Sequence, residues 1–178
     1  QAYEKLIEVK GLSISDNENG KWLMDYLSDI SRIDRESDMF RYPFGNNLKV
    51  LFDRQTNISL VATHDNMNKA FSIIKGIYDT GDILEQGIEA YEPHLIIEGG
   101  HYYQQSVVGY KYSQHAFYPY YSSYEEVGNF LKGVIMAEKK ANLFMPMCYL
   151  YRNAVELGLK RLIIEDSHID NSKALKIV

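Results

Sequence analysis

Residues 147–163 read MCYLYRNAVELGLKRLI, and this stretch decides the fold class. Its apolar residues fall at helical spacing along two lines. Met147, Leu150, Ala154 and Leu157 form one, and Cys148, Tyr151, Val155, Leu159 and Leu162 form the other. A helix with so little polar circumference is expected to sit centrally, with neighbours on two sides. Pro146 fits its first turn, where a missing N–H costs nothing, so the helix should run from about Met147 to Glu165. Arg152, Asn153, Glu156, Lys160 and Arg161 are the polar residues left over. Arg152, Glu156 and Lys160 follow one another at every fourth position and share a face. That face reads either as a solvated stripe with weak ion pairs, or as a polar site in which Glu156 orients Arg152 beside Asn153 toward an anion.

Outward from this helix, helical patterns dominate. Trp22, Leu23, Tyr26, Leu27, Ile30 and Ile33 make one apolar stripe, predicting a helix over 21–33. Leu48, Val50 and Phe52 alternate with polar residues and ISLVA (58–62) is β-rich, so the two fit a small hairpin. Thr63 or Asp65 can cap a helix reaching about Tyr78, and Thr80-Gly81-Asp82 punctuates before another reaching about Tyr91. Residues 92–122 show no sustained period and hold much of the chain's tyrosine; they read as an irregular insertion packed on the bundle or on a partner subunit. Ser123 and Glu126 make a capping box that opens a helix to about Ala141. Residues 2–10 fit a short helix or a strand equally well. The chain reads as one mainly α-helical domain over 1–178, alone or as a segment of a larger protein.

With 178 residues, 46% of them hydrophobic, the chain can bury a core of ordinary size. A net charge of −5 excludes a protein basic all over, yet between Lys132 and Arg161 six lysines and arginines face two glutamates. One cysteine, Cys148, excludes an intramolecular disulfide and suits a cytoplasmic protein. No apolar run approaches the roughly 18 residues of a membrane helix. His64, His94, His101 and His115 lack metal-ligand spacing, so neither metal nor cofactor is expected.

Two motifs carry a resemblance. FMPMCYLYRNAVELGLKRLI (144–163) resembles the signature helix of bacterial HEPN-like proteins, written as a proline, an LYRH core, then EL.LK.LI. RIDRESDMFRYPFG (32–45) is similar to their loop of aspartate, serine and FRYP. Asn153 stands where that family has histidine, and the FRYP loop here precedes the helix instead of following it. The resemblance implies a helical bundle, often dimeric, from abortive-infection or toxin–antitoxin systems in which many members cut RNA. On that model Arg152 clamps phosphate, Asn153 is a hydrogen-bond partner, Glu156 orients them, and His168, separated from Arg161 by six residues, is the candidate base. Arg41, Lys160 and Arg161 would contact RNA. Partners implied are a second copy, RNA, and an antitoxin or defence-system protein, without a membrane. The competing expectation is a non-catalytic interaction module that builds a larger assembly.

Overall fold

A computed structural model describes residues 11, 17–35, 37–42, 52, 54–83, 89–109 and 117–166. It is mainly helical with one small antiparallel sheet. In chain order the elements are α1 (Glu18–Ile33), β1 (Thr56–Ser59), α2 (Leu60–Thr80), β2 (Gln105–Val108), α3 (Tyr118–Glu138) and α4 (Phe144–Asp166). They fall into two compact units, one drawn from 1–35 and 56–108, the other from 36–55 and 109–178.

In the first unit, α1 is capped by Asn17, whose side chain accepts from the Gly20 amide at 3.0 Å. Its expected stripe does face inward: Leu23 and Tyr26 are buried against Ala70, Ile73 and Ile77 of α2, with Ile83 and Leu95 closing the cluster. Ser59, rather than Thr63 or Asp65, caps α2, accepting from the Ala62 amide. Gly81, left-handed at φ 76°, ends it where the punctuation was expected.

The sheet corrects the expected hairpin. β1 covers only the start of the β-rich stretch and pairs with β2, in the register Thr56↔Val108 to Ser59↔Gln105. Thus the tyrosine-rich insertion supplies a strand. On the other edge of β1, the Ser59 amide donates to Ile97 O and the Gly99 amide to Asn57 O, both at 2.9 Å. Residues 2–10, Leu48 and Val50 lie outside the described residues, as does 84–88, the middle of the helix expected before Tyr91.

Two buried polar side chains bolt the 91–95 loop to the helices. Asn66 of α2 donates to Glu92 O (2.8 Å) and His94 O (3.1 Å) and accepts from the Tyr91 amide (3.0 Å). Asp29 of α1 accepts from the Leu95 amide at 2.9 Å and pairs with Arg32. Burial pushes the Asp29 carboxyl up, but the Leu95 amide, Arg32 and His94 outweigh it and hold it below the ordinary carboxylate range. A depressed folded-state value contributes stability that is complete above the unfolded-state value and is lost as pH falls through the folded one. The stability gap between wild type and Asp29→Asn should therefore shrink from about pH 6 to about pH 3, read by denaturation at each pH. A constant gap would show that the carboxylate charge does not hold this loop.

In the second unit, α3 and α4 form a helical hairpin joined by a turn at Lys139, which is left-handed at φ 55°. The start of α3 corrects the capping-box expectation. The helix begins five residues before Ser123, with Pro119 in its first turn, and the Ser122 and Ser123 hydroxyls bond back to Pro119 O. Tyr151 of α4 lies flat against Gly128, where an added Cβ would meet its ring at 3.1 Å, and donates to Asn129 Oδ1. Pro146 sits in the first turn of α4, as predicted.

The enclosure expected of α4 is not seen. Asn153, Ala154 and Leu157 are buried, but Val155, Leu159 and Leu162 are 62%, 49% and 56% exposed. The first line is buried at Ala154 and Leu157, whereas the second packs at Tyr151, against Gly128, and is open at Val155, Leu159 and Leu162.

Candidate functional site

The site lies where residues 37–42 meet α4, bringing the two motif segments together. Asp38 O accepts from the Arg41 and Tyr42 amides, both at 3.0 Å, folding the segment into a tight turn. Arg41 Nε donates to Ser37 O at 2.7 Å, which fixes the guanidinium stem. The Tyr124 hydroxyl of α3 donates to Phe40 O. From this turn the Tyr42 hydroxyl donates to Glu156 Oε1 at 2.8 Å across 114 residues of sequence.

Glu156 is the hub. The same Oε1 accepts from Lys160 Nζ at 2.8 Å, one turn on, and that ammonium stands 4.5 Å from the centre of the Tyr42 ring. Ring, ammonium and carboxylate thus close a triangle. Burial raises the Glu156 carboxyl, but Lys160, Tyr42 and Arg152 overcome it and keep it below its usual value. Burial, together with the bond to Glu156, pushes the Tyr42 phenol up to about 12. One group is firmly charged and the other firmly neutral, so neither is poised to exchange a proton near neutrality.

Two arginines stand near this cluster, Arg41 against its tyrosines and Arg152 within the field of Glu156. Burial disfavours the charged Arg41 guanidinium, yet the side chains of Tyr149, Tyr42 and Tyr124 more than compensate, and the group is held more basic than usual. Arg41 also lies 5.1 Å from the Tyr42 ring centre. Arg152 is exposed, has no hydrogen-bond partner among the described residues, and reaches Glu156 only through its field.

The triad expected on α4 therefore does not assemble as expected. Glu156 turns to Tyr42 and Lys160 instead of Arg152, because those partners bury it. Asn153 is buried and donates to Tyr149 O of its own helix at 2.7 Å, so its amide is spent internally. Lys160 is enclosed by Glu156 and Tyr42. Arg161 donates to the Tyr121 hydroxyl at 3.1 Å and stacks near the Tyr118 and Tyr121 rings, tying α3 to α4. His168, the candidate base, lies outside the described residues. Among the described residues no group of three or more His, Cys, Asp or Glu could hold a metal. Nor is any helix among them long and apolar enough to cross a membrane.

Spacing alone on α4 could not have found Tyr42, the residue that organises this site. The FRYP loop is the available signal, and nothing in its sequence ranks the tyrosine above the arginine. Comparison with protein-family models, curated proteins and solved structures finds no match to this chain.

Proposed function

We propose that this protein is a HEPN-like RNA-binding domain of a phage-defence or toxin–antitoxin system, with the second unit as its RNA-contacting part. One observation carries the reading. Lys160 by contact and Arg152 through its field act on one carboxylate, Glu156, and Arg41 lies over the ring of Tyr42, which bonds that carboxylate, so three cations gather at this surface of a protein that is acidic overall. Arg152 presents an exposed guanidinium, the fork that matches phosphate oxygens. Tyr42, Glu156 and Lys160 form the bonded cluster beside it. Binding is favoured over cutting because Glu156, held below its usual value, stays charged and Tyr42, pushed up to about 12, stays neutral near neutrality.

The test is single-stranded RNA binding by anisotropy across a salt series. Arg152→Ala should weaken binding about tenfold and flatten the log–log salt dependence by about 0.7 for the lost phosphate contact. Unchanged affinity removes the site. Cleavage is a separable extension: turnover that persists in EDTA and disappears in Arg152→Ala would add catalysis to binding.

A second reading has its own support. Val155, Leu159 and Leu162 expose an apolar line on α4, as a non-catalytic interaction module would. It requires no RNA binding at all, so the same salt series separates the two.

A further inference from the structure

Around the Glu156 cluster, tyrosine rings are mostly engaged with the protein itself. Tyr42 carries Arg41 at 5.1 Å and Lys160 at 4.5 Å from its ring centre. Tyr151 lies against Gly128, and Tyr118 and Tyr121 meet edge to face beside the Arg161 guanidinium. Tyr149 differs. It is 48% exposed, and among the described residues no second ring and no cation packs on its face. Its side chain hydrogen-bonds the Arg41 guanidinium, so the ring is held at its hydroxyl end and left open across its face. Tyr149 also stands three residues before the exposed Arg152 on α4. Residues at that spacing are neighbours on a helix surface, with Cβ atoms about 5–6 Å apart. That is the scale on which a nucleobase stands from its own phosphate.

We propose that Tyr149 stacks on an unpaired nucleobase while Arg152 holds the phosphate of the same nucleotide, so that this surface takes single-stranded RNA and discriminates against duplex. The inference rests on the RNA-binding reading above and adds the base contact. In a duplex each base is paired and stacked between its neighbours, and a side chain on a helix surface meets phosphates and sugars alone. In a single strand a base can turn out onto an aromatic ring, and every base has a face to offer, so the contact carries little sequence preference. Because Arg41 already holds Tyr149, little side-chain freedom is lost when a base arrives. An aliphatic residue at this position would leave only the phosphate contact, which both forms of RNA supply.

Anisotropy on the full chain tests it, with a labelled oligouridylate used free and annealed to its complement. Tyr149→Leu should weaken binding of the single strand about tenfold and leave the duplex within about twofold, with helical circular dichroism unchanged. Tyr149→Phe drops the hydroxyl bond to Arg41 but keeps the ring, and should bind the single strand within about twofold of wild type. Equal losses for both forms of RNA in Tyr149→Leu, no loss for the single strand, or a tenfold loss in Tyr149→Phe would each overturn the proposal. Arg152→Ala separates this inference from the reading beneath it. Where Arg152→Ala weakens both forms of RNA, Tyr149→Leu decides the base contact by itself. Where Arg152→Ala changes neither, the RNA-binding reading fails and this inference falls with it.

Discussion

Replacing Asn66 with alanine should destabilise the first unit by about 2 to 3 kcal/mol, because one deletion takes the protein partner from three part-buried backbone groups. The Tyr91 amide loses its acceptor, and the Glu92 and His94 carbonyls lose their donor. Asn66 is fully buried in the middle of α2, so water cannot replace it without opening the loop. Asn66→Asp should be no better. It keeps an acceptor for Tyr91 but turns a carboxylate toward two carbonyl oxygens. The readout is built in, since Trp22 is the single tryptophan and its indole N–H donates to Tyr91 O at 2.9 Å in that same loop. Its emission should shift red and its denaturation midpoint fall in both variants. A loss below about 1 kcal/mol would mean that apolar packing alone holds the loop.

The helices were legible wherever one face meets the core. The stripe from Trp22 to Ile33 predicts α1 because its apolar spacing and its burial coincide. The β-rich run at 58–62 misleads because the strand-to-helix junction falls inside it. Ser59 ends β1 and caps α2, and the Leu-Val-Ala that follow are helical despite their apolar, β-prone look. The strand QSVV was hidden by its tyrosine-rich surroundings, and its partner is distant in sequence, so no local signal announces the pair. At α3 the tyrosines before Ser123 are weak helix formers; Arg161, packing on Tyr118 and Tyr121, supplies the tertiary support that overrides propensity.

The candidate site divides in the same way. The four-residue spacing of Glu156 and Lys160 was readable, and the ion pair forms. The same spacing between Arg152 and Glu156 was equally readable, and that pair does not form. What separates them is Tyr42, which sits on the Lys160 side of the carboxylate. A contact that spans 114 residues cannot be inferred from helical periodicity, and it settles which of two symmetric neighbours the glutamate chooses.

The sign of one charge change tests this site most sharply. Glu156→Ala should cost about 2 to 3 kcal/mol, because the Tyr42 hydroxyl and the Lys160 ammonium, the latter only 12% exposed, both lose their acceptor. Glu156→Gln retains a carbonyl oxygen for both donors, so it should cost about half as much. Exchange of the Arg41 and Tyr42 amides, which close the turn onto Asp38 O, should quicken in the same order. The cost should also fade in acid. The Glu156 carboxyl is held below its usual value, so its contribution is complete above the unfolded-state value and disappears as pH drops through the folded one. For RNA the direction reverses. Removing the carboxylate charge beside Lys160 and in the field of Arg152 while preserving shape makes the surface more positive, so Glu156→Gln should bind single-stranded RNA about threefold more tightly, with a steeper salt dependence. A less stable protein that binds better is the outcome required of a phosphate-facing surface. Weaker binding by Glu156→Gln, with the Arg41 and Tyr42 amides still protected, would instead show that the carboxylate itself contacts the ligand, and the electrostatic account of the site would fail.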